Sequence, residues 1–346
     1  MAPARRPTGG IWLPSGPPQP GPAPLTRGGV PGAADVATFN ISTVNTAQKV
    51  NLNANQLALG LSFLSTGTTT LQGGGTNRSL TLGTSGIVKT GTGAATVGSA
   101  TANQNVAIAL AGDQLWSNTV AGALTVVNGI APSAAANRLL TLGGTGGAAS
   151  TVSGIIANNG AGVVSLTKSG TTQWTLSGAN TFTGAVSLND GVLQLNANTG
   201  AGTNTITLNP GGTTGTATRL LLNGAVTIAN PVTLAAGSIT GLVGQGALQQ
   251  TGAGQGRING AITINGTTSA GGQLVGGTAA GMNSCSAASL LPACPLPSGM
   301  GASPTSAAAR VSAVLQSRMP PSWEPITAFP PMPRSISAVL SMPPWR

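Results

Sequence analysis

Leu166-Thr167-Lys168-Ser169-Gly170-Thr171-Thr172-Gln173-Trp174-Thr175-Leu176-Ser177-Gly178-Ala179-Asn180-Thr181-Phe182-Thr183-Gly184 runs on, one residue later, into Val186-Ser187-Leu188-Asn189-Asp190-Gly191-Val192-Leu193-Gln194-Leu195. Short apolar–polar alternations stand between breaks that carry Gly or Asn. That is the period-two pattern of strands with one buried face. Gly170, Gly178, Gly184 and Gly191 permit tight bends, and Asn180 tolerates left-handed backbone. Trp174 and Phe182 bring large apolar area, so packing is their expected role, alongside Leu166, Leu176 and Leu193. Lys168 approaches a glycine-containing bend.

The same units recur outside this stretch. Leu80-Thr81-Leu82-Gly83, Leu140-Thr141-Leu142-Gly143, Ile206-Thr207-Leu208-Asn209 and Ile262-Thr263-Ile264-Asn265 set aliphatic residues on one face with Thr between them. Val226-Thr227-Ile228 and Val232-Thr233-Leu234 repeat the form. A longer duplication places Asn77-Arg78-Ser79-Leu80-Thr81-Leu82-Gly83 against Asn137-Arg138-Leu139-Leu140-Thr141-Leu142-Gly143, with the arginines 60 positions apart. At about 20 residues per coil that separation corresponds to three coils of a solenoid. Few Asn-Gly hairpin signals join strands of matched length, and the spacing of similar units is too long for hairpins. The expected fold is all-β, a right-handed parallel β-helix with aliphatic residues stacked inside and Thr outside. The alternative is an array of β-sandwich modules.

The opening stretch resembles the autotransporter-associated β-strand repeat, also called the passenger-associated transport repeat. The family's pattern runs approximately L-T-K-x-G-x-G-x-W-x-L-x-G-x-N-x-Y/F-x-G, then a strand and G-x-L. Here Leu166, Lys168, Gly170, Trp174, Leu176, Gly178, Asn180, Phe182, Gly184, Gly191 and Leu193 occupy its signature positions, with the best match over 163–195. Thr172 departs from the second Gly, and Asp190 stands at a commonly small position. Echoes occur at Gly86-Ile87-Val88-Lys89-Thr90-Gly91-Thr92-Gly93 and at Ala247-Leu248-Gln249-Gln250-Thr251-Gly252-Ala253-Gly254. With Gly29 to Phe39 resembling the start of such regions, the repeat region is expected to span 29–284. The resemblance implies a parallel β-helix in a large extracellular bacterial protein, where the repeat accompanies secretion and folding of the passenger.

Composition restricts chemistry more than length does. Of 346 residues only 5% are charged, Gly contributes 53, and His and Tyr are absent. The acidic residues are Asp35, Asp113, Asp190 and Glu324. Disordered chains are usually more charged and less aliphatic. The net charge of +10 does not make a nucleic-acid surface, because Arg78, Arg138, Arg219 and Arg257 are isolated and no aromatic platform accompanies them. Ser165-Leu166-Thr167-Lys168 has the S-x-x-K spacing of serine acyltransferases, but that chemistry needs a helix and further polar partners. Gly143-Gly144-Thr145-Gly146-Gly147 lacks the Lys-Ser/Thr that ends a phosphate loop. Asp113 and Asp190 have no acidic neighbours for a metal cage or a carboxylate pair, and Asp190 in Asn189-Asp190-Gly191 reads as a turn residue. Asn40-Ile41-Ser42, Asn77-Arg78-Ser79 and Asn265-Gly266-Thr267 fit a glycosylation pattern that is frequent by chance in an Asn/Thr-rich chain. No catalytic, cofactor-binding or metal-binding residue is expected.

Proline divides the chain: nine fall in residues 1–35, three in 36–284 and twelve in 285–346. Residues 1–28 and 285–346 are therefore expected to be disordered and to stay out of the sheets. Repeats stop near Met282 as they would at a shifted reading frame, and a similar origin is expected for the segment that precedes Gly28. Arg5-Arg6 is not followed by the apolar run of a signal peptide, and no run reaches the roughly 18 apolar residues of a membrane helix. Cys285 and Cys294 leave a disulfide open. The expected role is a non-enzymatic repeat scaffold of a secreted or surface-displayed protein, at the cell exterior or outer-membrane surface. An outer-membrane translocator is expected in the intact parent. Alternatives are an adhesin or glycan-binding module that meets a host or environmental surface, and a polysaccharide-cleaving β-helix, for which the charge pattern gives little support.

Overall fold

The computed structural model describes residues 13–14, 30–40, 47–209, 218–235, 246–265, 273–277 and 285–286. Among them there is no helix, and the chain passes back and forth between two large sheets, with Thr227–Ile228 and Arg257–Ile258 in a small third one. The larger sheet orders Val36–Phe39, Gln56–Phe63, Arg78–Lys89, Gln114–Asn118, Arg138–Gly143, Val164–Lys168, Val186–Leu188, Ile206–Leu208, Val232–Leu234 and Ile262–Ile264 in chain sequence. The smaller sheet runs from Gln48–Leu52 through Ala95–Val97, Ser150–Val152, Trp174–Leu176 and Val192–Leu195 to Gln273–Gly277. Neighbouring strands are parallel, each pairing with the strand one coil on. Sandwich modules would need antiparallel neighbours, so the fold is a parallel β-solenoid.

The alternation read from sequence becomes stacking by register. Leu140 pairs with Leu166, Leu166 with Val186, Val186 with Ile206 and Ile206 with Val232, making an aliphatic column in which each member is buried. The residues between them form an outward column, Thr141, Thr167, Ser187, Thr207, Thr233 and Thr263. β-Branched Thr suits the pleat and its hydroxyl meets water, so a chain poor in charge still hydrates this face. Near the N-terminal end the rings of Phe39 and Phe63 stack at 4.7 Å, one coil apart in register.

A third side closes the coil with less regular backbone. Ile130 donates its N–H to Ile155, Phe182 donates to the Ile156 carbonyl, and Thr203 donates to the Phe182 carbonyl. Further on, Thr227–Ile228 pairs with Arg257–Ile258.

Coil length is not the single value expected. The steps from Leu166 to Val186 and from Val186 to Ile206 are equal, and they match the length read from sequence. The steps from Gln114 to Leu140, from Ile87 to Trp116 and from Val232 to Ile262 are each longer than these by six positions or more. Arg78 and Arg138 therefore stand two rungs apart on the larger sheet rather than three. Between Gln114 and Leu140, where every residue is described, the extra residues lie in the connections, which sequence spacing alone does not separate from strands.

The proline-rich ends, 1–28 and 285–346, fall outside the described residues except at two dipeptides. Leu13–Pro14 pairs antiparallel with Thr38 and Ala37, and Cys285–Ser286 pairs antiparallel with the strand Gln273–Gly277. At these four residues the ends do join a sheet; Pro14 does so on an outermost strand, where its missing N–H need not interrupt a ladder. The expectation of a shifted reading frame and the position of Cys294 lie outside the described residues.

Candidate functional site

The eleven signature residues are spread around the repeat coil and its connection to the next. Leu166, Leu176, Leu193 and Phe182 are buried aliphatic and aromatic packing. Trp174 is fully buried in a column between Ser150 and Leu193. Its indole Nε1 donates to the Gly143 carbonyl at 2.9 Å. That bond satisfies the polar end of the largest side chain in the coil and one buried carbonyl on the facing sheet.

Lys168 occupies a place built for an aliphatic residue, since it pairs with Leu142 below and Leu188 above. It is fully buried. Its Nζ donates to the main-chain carbonyls of Ser169 at 2.9 Å, Gly170 at 2.5 Å and Asp190 at 3.0 Å. Three ammonium hydrogens meet three acceptors, two in its own turn and one in the next coil. Burial pushes the ammonium down to about 7, and the nearby Asp190 carboxylate pulls it part of the way back. Asp190 itself accepts the Gly191 N–H at Oδ1, 2.8 Å away, which places it in a turn.

Glycine is required at this corner by backbone geometry. Gly170 and Gly191 have φ of +65° and +68°. A Cβ on Gly170 would collide with the Gly144 carbonyl, and one on Gly191 with the Gly170 carbonyl. The turns of successive coils therefore nest backbone on backbone. Gly178 and Gly184 are likewise pressed against the carbonyls of Gly154 and Val164 in the preceding coil.

Asn180 joins three coils. Its Oδ1 accepts the Ile156 N–H at 2.8 Å, and its Nδ2 donates to the Gly200 carbonyl at 2.6 Å. One side chain thus bonds both the coil before its own and the coil after it. A branched apolar residue would leave both main-chain groups without their partner.

The echoes contain the same turn chemistry. Lys89 is fully buried and donates to the Gly91 carbonyl at 2.7 Å; burial pushes it down to about 8. Gln250 continues the column Leu176, Leu195, Leu222 on the smaller sheet. The two hydrogens of its Nε2 are shared among the carbonyls of Thr251, Gly252 and Gly254, at 3.0, 2.8 and 3.1 Å. The repeated feature is a buried N–H donor just before a glycine turn, which the sequence signals only by Lys or Gln followed by Ser/Thr-Gly.

The other sequence candidates are placed apart. Ser165 is half-buried on the outward face of its strand while Lys168 points inward, so the S-x-x-K pair occupies opposite faces. Asp113 accepts the Leu139 N–H at 2.9 Å, a bond between coils. Among the described residues no three His, Cys, Asp or Glu side chains gather, and no helix is long and apolar enough to cross a membrane.

Residues 166–195 match the family model described as Passenger-associated-transport-repeat. No curated protein and no solved structure matches the chain. The matched segment coincides with the short coil from Leu166 to Val186, the buried lysine and the three-coil asparagine. The chain thus carries, at residues 166–195, a repeat of the passenger-associated transport type set within a parallel β-solenoid.

Proposed function

We propose that this solenoid is a non-enzymatic structural scaffold of a secreted or surface-displayed bacterial passenger, and that the coil at 166–195 promotes its folding and export. One observation carries the reading: the polar signature side chains are spent on main-chain groups of adjacent coils, as Asn180 is on Ile156 and Gly200. The family match at 166–195 supports the extracellular setting. The coil from Leu166 to Val186 also closes a shorter loop than the two coils before it, and shorter loops cost less entropy to close.

The test places the chain between a signal peptide and an outer-membrane translocator. Deleting 167–186 removes one coil while keeping the pairing register, since Leu166 stacks on Val186. Deleting 115–140 removes a coil without the repeat by the same logic. Loss of the repeat coil is expected to lower the protease-resistant material at the cell surface several-fold more than loss of the other coil. Equal yields from the two deletions would overturn the reading.

A second reading, a glycan-binding surface, is favoured by the outward hydroxyl column from Thr141 to Thr263 on a face of the larger sheet. Replacing Thr167, Ser187 and Thr207 together with Ala would then abolish saturable binding on a glycan panel. Unchanged binding would remove that face from consideration.

A further inference from the structure

At the corner where the chain leaves the larger sheet for the smaller one, several coils bury a polar side chain against their own turn carbonyls. Lys89 donates to Gly91. One coil on, Asn118 pairs in register with Lys89 and donates through Nδ2 to the Gly122 carbonyl at 2.9 Å. Two coils beyond that, Lys168 sits two register positions earlier, stacked on Leu142 rather than on the Lys89–Asn118 column, and its long side chain reaches the same turn to hold Ser169, Gly170 and Asp190. The intervening coil, which leaves the sheet at Gly143-Gly144, has no such side chain to offer. None fits: Gly144 has φ of +114°, and a Cβ there would collide with the Asn118 carbonyl.

Thr172, one coil later, reaches back into that gap. It is fully buried, and its Oγ1 lies 2.9 Å from the Asn118 carbonyl and 3.1 Å from the Gly146 carbonyl. It is also the residue that departs from the second glycine of the repeat pattern. We propose that in this run of coils the corner is held by buried hydrogen-bond donors and that Thr172 supplies, from the following coil, the donor that Gly144, level with Lys89 and Asn118, cannot carry. The Thr172 hydroxyl is a positioning group: its single hydrogen is shared between the Asn118 and Gly146 carbonyls of the two preceding coils, beside the Gly144–Gly170–Gly191 backbone stack.

Donor capacity, not charge, is the requirement. Lys89 and Lys168 use an ammonium, Asn118 a carboxamide and Thr172 a hydroxyl at one corner, while Gln250 does the same work with a carboxamide on the other sheet. Without the hydroxyl the Asn118 carbonyl keeps the Gly146 N–H, but the Gly146 carbonyl loses its Thr172 donor, and the penalty for one such buried group corresponds to about tenfold or more in a local opening equilibrium.

The experiment is amide hydrogen exchange on the full chain carrying Thr172→Ser, Thr172→Val or Thr172→Gly. The reporters are the Gly146 N–H, which donates to the Asn118 carbonyl, and the Thr172 N–H, which donates to the Gly144 carbonyl. Thr172→Ser keeps the hydroxyl and is expected to retain wild-type protection at both. Thr172→Val keeps the shape without the donor and is expected to exchange about tenfold faster there, with Thr172→Gly at least as fast. Protection in Thr172→Val equal to that in Thr172→Ser would overturn the proposal. Should Thr172→Val not fold while Thr172→Ser does, the hydroxyl requirement stands. A second pair, Lys168→Gln and Lys168→Met, separates donor from charge. Protection of the Gly191 amide is expected to survive in the first and fall in the second, and the reverse order would defeat the donor requirement.

Discussion

The indole N–H of Trp174 and the main-chain carbonyl of Gly143 meet at 2.9 Å, joining the smaller sheet to the larger through the core. Trp174→Phe keeps most of the apolar area but removes the donor. The orphaned Gly143 carbonyl is expected to cost about 1–3 kcal/mol. Trp174→Ala adds a cavity and should cost about 3–5 kcal/mol or more. Urea denaturation followed by circular dichroism compares the two. A Phe variant as stable as the parent would show that the bond contributes nothing.

The buried lysines make stability depend on pH in a defined direction. Lys168 is held down to about 7 and Lys89 to about 8 by burial, whereas an unfolded lysine titrates near 10.4, an approximate peptide value. Between about pH 7 and 10 the unfolded chain therefore binds protons that the folded chain has released, and stability rises with pH. Below about pH 7 the contribution is at its lowest and flat. With no His or Tyr in the chain, few other groups obscure this slope. Urea midpoints measured from pH 6 to 10 should climb, and Lys168→Gln should flatten most of the climb, leaving the part due to Lys89. A midpoint that falls over that range would contradict the burial of both amines.

Asn180 uses one acceptor and one donor, so Asn180→Asp changes half of its function. The carboxylate can still accept from Ile156 but faces the Gly200 carbonyl with an oxygen where an N–H stood. Stability at neutral pH is expected to drop by about 2 kcal/mol or more. Acidification toward about pH 4 should recover part of it, as the protonated acid regains a donor. Thermal melts at pH 7 and pH 4 provide the check, and an equal deficit at both would show that the donor to Gly200 is dispensable.

Much of the fold was legible because strand stacking is written in side chains. The L-T-L units and the alternation around Trp174 show which residues turn inward, and the solenoid follows from their recurrence. Coil length was not legible, because the residues separating Gln114 from Leu140 look locally like those separating Leu166 from Val186 while forming a longer connection. Within the site, Lys168, Trp174 and Asn180 stood out by type and position. Their partners did not: Gly143, Gly170 and Gly200 contribute main-chain carbonyls, which every residue has. Thr172 looked like a lapse from the pattern because its acceptors, Asn118 and Gly146, lie two coils and one coil back.

Two glycines separate steric need from mere abundance. Gly170→Ala forces a left-handed φ on a residue whose Cβ would collide with Gly144. The conformation alone costs about 1–2 kcal/mol and the collision adds to it. Gly147 is exposed, and a Cβ there meets nothing within 4 Å. Gly147→Ala should be neutral or raise stability by about 0.4–1 kcal/mol through the unfolded chain. Denaturation of the two variants side by side tests the contrast, and equal effects would remove the special status of the Gly170 corner.

Successive rungs stay in register although more residues separate Gln114 from Leu140 than Leu166 from Val186. The interior thus counts rungs while the exterior counts residues. Two such proteins can share an identical interior and differ widely in length, with every difference housed outside. A pattern defined by fixed spacing loses the coils that carry a surplus, while the vertical order of their rungs is preserved. Insertions between rungs can then accumulate as ornament, giving an old spine new outer surfaces without asking it to refold differently.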